Sequence, residues 1–341
     1  VTPSISFFIP SALWPDDLPN SPDQNWAGYR LGIYVWTVQT YLRLRAAGIV
    51  CQLTQQLPEE GIVLFHSAAL QAVKIIPAPR RLLICMKADA PLCAIAPIHI
   101  VQNPSEASPT ANRYYIPHWP QPQIISRDIN RGDRFENLAF LGEESSLALE
   151  LRSLEWRTAL AERDLRWRVH TDFQSSNGLN TGQNDYHDLD AIVAVRSFNP
   201  WQRWLTSGFN NQPATPLYSA WLGGVVAILG AESAYRQTGQ PEQGYAEVGS
   251  FDELLNCLDR LKENVGWRRS LIAQGSLSAQ DYTPEKIVRK WEVFLELLAI
   301  PAYIEWCDYS SWQRQQVLIA TQSASYWDHF ARKARQLLAT P

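Results

Sequence analysis

The sequence predicts an α/β protein of two domains, each built on a mostly parallel sheet. Three observations lead there. A chain of 341 residues suits two domains of ordinary size. Its 46% hydrophobic and 19% charged residues are the balance of a folded chain with a sizeable core. Short apolar runs also alternate with amphipathic stretches through both halves, the pattern of strands joined by crossover helices.

Residues 5–9 read as the first strand, followed by a loop at 10–25 rich in Pro and Asp. A helix is expected over 29–47, with Leu31, Val35, Val38 and Leu42 on one face. Apolar strands follow at 50–53, 62–65, 82–85 and 98–101. The proline-laden run 115–122, Y-I-P-H-W-P-Q-P, fixes an extended path and is the expected hinge. The second half resumes with a strand at 137–141, a helix from Ser145 to about Arg163, and strands at 168–170 and 191–195, the latter ending at Arg196. A further strand at 245–248 leads to a helix at 252–263 with Ser250 as its N-cap, and helical patterns then run to the end with a break near Pro301.

Residues 215–236, T-P-L-Y-S-A-W-L-G-G-V-V-A-I-L-G-A-E-S-A-Y-R, carry the most chemical information. Thr215 is the expected N-cap of a helix, with Pro216 at its first position and Gly223 and Gly224 at its end. The unbroken apolar run 225–229 has the pattern of a parallel strand covered on both faces. Glu232, Ser233, Tyr235 and Arg236 then fall at the carboxyl edge of that strand, where open α/β sheets bind ligands. A helix N-terminus beside that edge offers N–H groups and a partial positive charge to a phosphate. The segment is therefore a candidate nucleoside-diphosphate site.

The same segment resembles the donor-binding core of GT-B glycosyltransferases, in sequences reading roughly K-P-x-T-K-L-x-x-A-W-L-A-G-V-P-A-I-x-G-x-E-x-A-Y. The likeness extends weakly to Arg196 and to the strand and helix after Tyr245. It implies two Rossmann-like domains: an acceptor-side domain at 1–122, a donor domain at 123–308, and a helical segment at 309–341 that packs back on the first. It also implies transfer of a sugar, hexosyltransferase-like, from a UDP- or GDP-type donor to an acceptor hydroxyl of a glycan, lipid or small molecule. Two departures stand out. Gln212 and Pro216 replace the lysines flanking the Pro-x-Thr element, which removes charge expected on a pyrophosphate. The glutamate pair of many retaining members, eight residues apart, would fall at about Asn211 and Ser219 and is absent, which leans towards inversion.

The chemistry assigns expected roles. Arg196, Thr215 and Arg236 are candidates for the diphosphate, because charge accumulates on the leaving group. Glu232 is the candidate acceptor for ribose or sugar hydroxyls, since a carboxylate just after a buried strand needs partners. Ser233 and Tyr235 complete the donor set. A general base is sought at strand ends of the first domain, where Asp16, Asp17, His66 and Asp89 fall. His66 has the side-chain type suited to proton transfer near neutrality.

Other classes are disfavoured. A net charge of −4 gives no electrostatic footprint for nucleic acid. The five scattered cysteines form no C-x-x-C pair, against both a disulfide framework and structural zinc. No G-x-G-x-x-G follows the first strand, and no H-E-x-x-H, P-loop, nucleophile elbow or D-x-D run occurs, so neither cofactor nor metal is expected. No signal-peptide pattern or bilayer-length apolar run is evident, which points to the cytoplasm, with peripheral membrane contact left open. A nucleotide-sugar epimerase and a non-catalytic binding or scaffold protein of the same fold stay open as alternatives.

Overall fold

In the computed structural model, which describes residues 3–170 and 184–339, the apolar runs become parallel strands. The chain divides into two units: Val1–Trp119 with Asn211–Pro213 and Pro284–Pro341, and Pro120–Asn210 with Ala214–Thr283.

Among the described residues, the first unit holds a six-stranded sheet in the order β2-β1-β3-β4-β5-β6. Its strands are β1 (Ile5–Phe8), β2 (Gln52–Thr54), β3 (Gly61–His66), β4 (Arg81–Met86), β5 (Ile98–Val101) and β6 (Arg113–Tyr115). β1, β3, β4 and β5 are buried along their whole length, which is why they read as mainly apolar runs, interrupted only by Ser6 in β1 and His99 in β5 and bounded by His66 and Arg81 in β3 and β4. The helix expected over 29–47 is present but irregular. A 3₁₀ turn (Ala27–Arg30) leads into α1 (Gly32–Tyr34), a π-helical turn (Val35–Gln39) and α2 (Thr40–Ala46). The widened turn buries five consecutive residues, more than one stripe of a regular helix would. A short α3 (Ala69–Ala72) follows β3. β6 ends on Tyr115, the first residue of the proline run, where the sequence predicts a hinge and no strand.

Among the described residues, the second unit repeats the topology with five strands in the order β11-β10-β9-β7-β8. These are β7 (Asn137–Leu141), β8 (Arg166–His170), β9 (Ala191–Ala194), β10 (Val226–Gly230) and β11 (Ala246–Val248). Its helices are α4 (Leu154–Ala161), α5 (Pro200–Leu205), α6 (Thr215–Gly223), α7 (Ser233–Thr238), α8 (Phe251–Glu263) and α9 (Val265–Ala279). The single helix expected from Ser145 is instead two 3₁₀ turns before α4, because the Ser153 hydroxyl accepts the Trp156 N–H (3.1 Å) and starts the helix there. α6 begins with Ala214 as N-cap and Thr215 as its first residue, one position earlier than expected. α9 packs on α6 through Gly275, where an added Cβ would lie 2.4 Å from the Trp221 ring, so only glycine admits the indole. At the amino edge of this sheet, buried Asp190 accepts hydrogen bonds from Arg127 (2.8 Å), Arg131 (2.7 Å) and the backbone N–H groups of Glu136 (2.8 Å) and Asn137 (2.9 Å).

The chain rejoins the first unit at Pro284, earlier than the residue 309 expected from sequence. The reason is α10 (Pro284–Phe294), whose apolar face (Ile287, Trp291, Phe294) belongs to that unit's core. α11 (Ile300–Asp308) and α12 (Ser311–Ala339) complete the return. No break occurs at Pro301. A π-helical turn at Leu295–Ala299 precedes it, and the altered hydrogen-bond ladder takes up a ring that a regular helix interior would reject.

Candidate functional site

Both sheets have the 2-1-3 strand order at which an open α/β sheet forms a crevice at its carboxyl edge. In the second unit the strand pair β9 and β10 presents Arg196 and Glu232 at that edge, each two residues past its strand. The two side chains meet: Arg196 Nε donates to Glu232 Oε2 at 3.0 Å. Glu232 is 1% exposed, and its other oxygen, Oε1, is buried without a hydrogen-bond partner among the described residues. Burial raises the Glu232 carboxyl above its usual range, and the Arg196 guanidinium offsets only part of that. Gly230 lies beside this oxygen: a Cβ added there would stand 3.5 Å from Oε1 and 3.2 Å from Val195 Cγ1. A buried acceptor left half satisfied is costly, and a ligand hydroxyl is one group that would satisfy it.

The remaining donor candidates are engaged differently. Ser233 donates from both its backbone N–H (2.8 Å) and its hydroxyl (3.0 Å) to the Gly208 carbonyl, fixing the loop that leads to α6. That close approach fits Gly208, whose φ of +66° disfavours a side chain. Tyr235 is 1% exposed and packs in the core. Arg236 forms a bidentate pair with Glu247 on β11 (2.7 and 2.6 Å). Thr215 shares a hydrogen bond with the Tyr218 hydroxyl at 3.0 Å, and Tyr218 stacks on Tyr282 at 5.1 Å. In the first turn of α6, Pro216 has no N–H, and the amides of Leu217 and Tyr218 both donate to the Ala214 carbonyl. The turn therefore leaves the Thr215 amide to an anion, a poorer cradle than a full helix start provides.

In the first unit, His66 ends β3 and Asp89 follows β4, the neighbouring strand. His66 Nδ1 accepts the Ala68 N–H at 3.1 Å, which assigns the ring proton to Nε2. That nitrogen is buried, has no partner among the described residues, and points at Gly32, where an added Cβ would lie 3.4 Å away. Burial lowers the imidazole to about 4, with Asp89 pulling the other way and His118 adding to the drop. At neutral pH His66 is thus a neutral N–H donor, not a primed base. Asp89 is exposed, and its backbone carbonyl is held by Asn211 Nδ2 (3.1 Å) and Arg332 Nη1 (2.9 Å). Asp16 and Asp17 are exposed in the loop after β1 and raise the Tyr34 hydroxyl electrostatically, after burial. Gly32 was missed from sequence. A glycine inside a helical pattern, just after the long first loop, was the available signal.

No family model and no curated protein matches the sequence. Solved structures do match. HepE from Anabaena, crystallised in complex with UDP and glucose, gives a TM-score of 0.51 at 12% identity, covering 87% of this chain and 100% of that one. AviGT4, a glycosyltransferase involved in avilamycin A biosynthesis, gives 0.49 at 12% identity, with 87% of this chain and 98% of that one covered. The apo form of WaaB, a lipopolysaccharide outer core galactosyltransferase, gives 0.48 at 10% identity, covering 86% and 99%. The first likeness, with the two parallel sheets, gives the fold: it is that of the GT-B glycosyltransferases. Among the described residues no helix is long and apolar enough to cross a membrane.

Proposed function

We propose that the chain is a glycosyltransferase that takes a sugar from a nucleoside-diphosphate sugar and transfers it to an acceptor hydroxyl. The observation that carries this reading is the pair of partly exposed Arg196 and buried Glu232 at the carboxyl edge of β9 and β10, with Glu232 Oε1 unsatisfied among the described residues. In this reading Glu232 accepts a ribose or sugar hydroxyl, while Arg196 and the Thr215 amide take diphosphate charge as it develops. The acceptor oxygen bonds to the sugar carbon, the bond from that carbon to the phosphate oxygen breaks, and the nucleoside diphosphate leaves. The acceptor proton passes to a base among Asp16, Asp17 and Asp89, with His66 serving as a neutral donor to an oxygen. No metal is invoked, because cationic and N–H groups of the chain take that charge.

A second reading, a nucleotide-sugar-binding protein without transfer, is favoured by one observation. Pro216 and the Ala214 carbonyl together strip the α6 start of most of its donors. A thermal-shift screen against UDP, GDP, CDP and their sugars tests both readings at the binding step. A ligand at 100 times its dissociation constant stabilises by about 2.7 kcal/mol, and silence towards the whole panel would overturn both. Release of nucleoside diphosphate that depends on an added acceptor then separates transfer from binding alone.

A further inference from the structure

We propose that α12 is a membrane-surface element whose outward face seats on an anionic phospholipid bilayer. Its 29 residues make a rod about 43 Å long. One side is fixed to its own unit. Ser325 Oγ donates to the Leu92 carbonyl (2.6 Å), Asp328 Oδ2 accepts the Leu92 N–H (2.9 Å), and Arg332 pairs with Asp328 (3.1 Å) and Glu106 (3.4 Å). At about 100° per residue, Trp312, Ile319, Tyr326, Trp327 and Phe330 fall on the opposite side. They are 67%, 45%, 65%, 65% and 55% exposed. The last three rings touch edge to face, with centroids 5.8 and 6.2 Å apart, and so form one continuous apolar surface.

The composition of that surface selects its occupant. A second helix would want branched aliphatic residues in two seams. Here the positions three after Trp312, Ile319 and Tyr326 are Gln315, Gln322 and His329, and those four after are Gln316, Ser323 and Phe330, so no second aliphatic seam runs along the helix. Trp, Tyr and Phe on a face free of acid suit the headgroup region, where amphipathic rings settle. The single acid of α12, Asp328, is turned inward and paired, whereas Lys333 is exposed beside the aromatic patch. That charge arrangement complements anionic headgroups. The helix would lie along the surface rather than cross it, consistent with its many polar residues.

The test is co-sedimentation of the whole chain with vesicles of phosphatidylcholine alone and with about one-third phosphatidylglycerol. The parent should bind the anionic vesicles, and added salt should weaken that binding. Tyr326→Ser/Trp327→Ser/Phe330→Ser should lower partitioning about tenfold or more at an unchanged melting temperature. Lys333→Glu should weaken binding to anionic vesicles and leave neutral ones unaffected, a readout that does not depend on the triple variant folding. No binding to either vesicle, or equal binding by parent and triple variant, would overturn the proposal. So would a lipid-free dimer of the parent that the triple variant abolishes, because the face would then belong to a second copy.

Discussion

At the scale of single residues, each unit carries one candidate side chain held in an unusual state. In the second unit Glu232 keeps a buried carboxyl beside Arg196 whose Oε1 has no partner among the described residues, and in the first unit His66 keeps a buried N–H without an acceptor among them. The His66 assignment fixes a pH dependence. With its imidazole lowered to about 4, it stays neutral from pH 5 to 8, so turnover should show no inflection there that His66→Gln removes. A rising limb near pH 6.5, lost in that variant, would restore His66 as the base. His66→Asn, which keeps an amide donor, should retain more turnover than His66→Ala. Glu232 and Arg196 were legible because strand ends and a buried charge can be read from sequence. The pairing of Arg236 with Glu247, and the use of Ser233 to hold Gly208, were not. Both depend on which distant residues the sheet brings near, and neither β11 nor the Gly208 turn announces that locally.

At the scale of elements, caps and sheet order explain what the pattern conveyed. The sequence marks Ser250 as the N-cap of α8, and its hydroxyl does accept the Glu253 N–H (3.1 Å) while Glu253 accepts the Gly249 N–H (2.6 Å). Ser250→Ala should cost about 1 kcal/mol in unfolding free energy, measured by urea titration. A loss below the error of that titration would mean the cap is not stabilising α8. The expected bounds of the fully buried strands lie within a residue or two of those observed, since both their faces are covered and their interiors are apolar, with His66 and Arg81 only at strand ends. Helix interiors fared worse. Periodicity cannot distinguish a regular helix from one with a π-helical turn, as at Val35–Gln39 and Leu295–Ala299, because tertiary packing decides which residues are buried.

At the scale of the whole molecule, the two units should respond differently to acid. In the first unit, burial lowers His66 and His99 from 6.5 to about 4, and lowers His118 too. Protonation then favours the unfolded chain, so stability present above about pH 6.5 is lost as pH falls towards 4, by on the order of 3 kcal/mol for each of the first two. Glu106, raised by burial, works in the opposite sense but is one group against three. In the second unit, burial alone would raise Asp190, but hydrogen bonds from Arg131, the Glu136 and Asn137 amides and Arg127 hold it below 3.8, so its contribution is lost only at lower pH. Hydrogen exchange at pH 5 should therefore show β3–β5 peptides opening before β9–β10 peptides, and the reverse order would contradict this. The account as a whole stands on the edge of β9 and β10 as a nucleotide site, and calorimetric titration of UDP, GDP and CDP into the parent and two variants tests that most directly. At least one nucleotide should bind the parent. Glu232→Ala should weaken it by about 1–3 kcal/mol and Arg236→Ala should leave it unchanged. Equal affinity in the parent and Glu232→Ala, or no binding by the parent at all, would contradict the assignment.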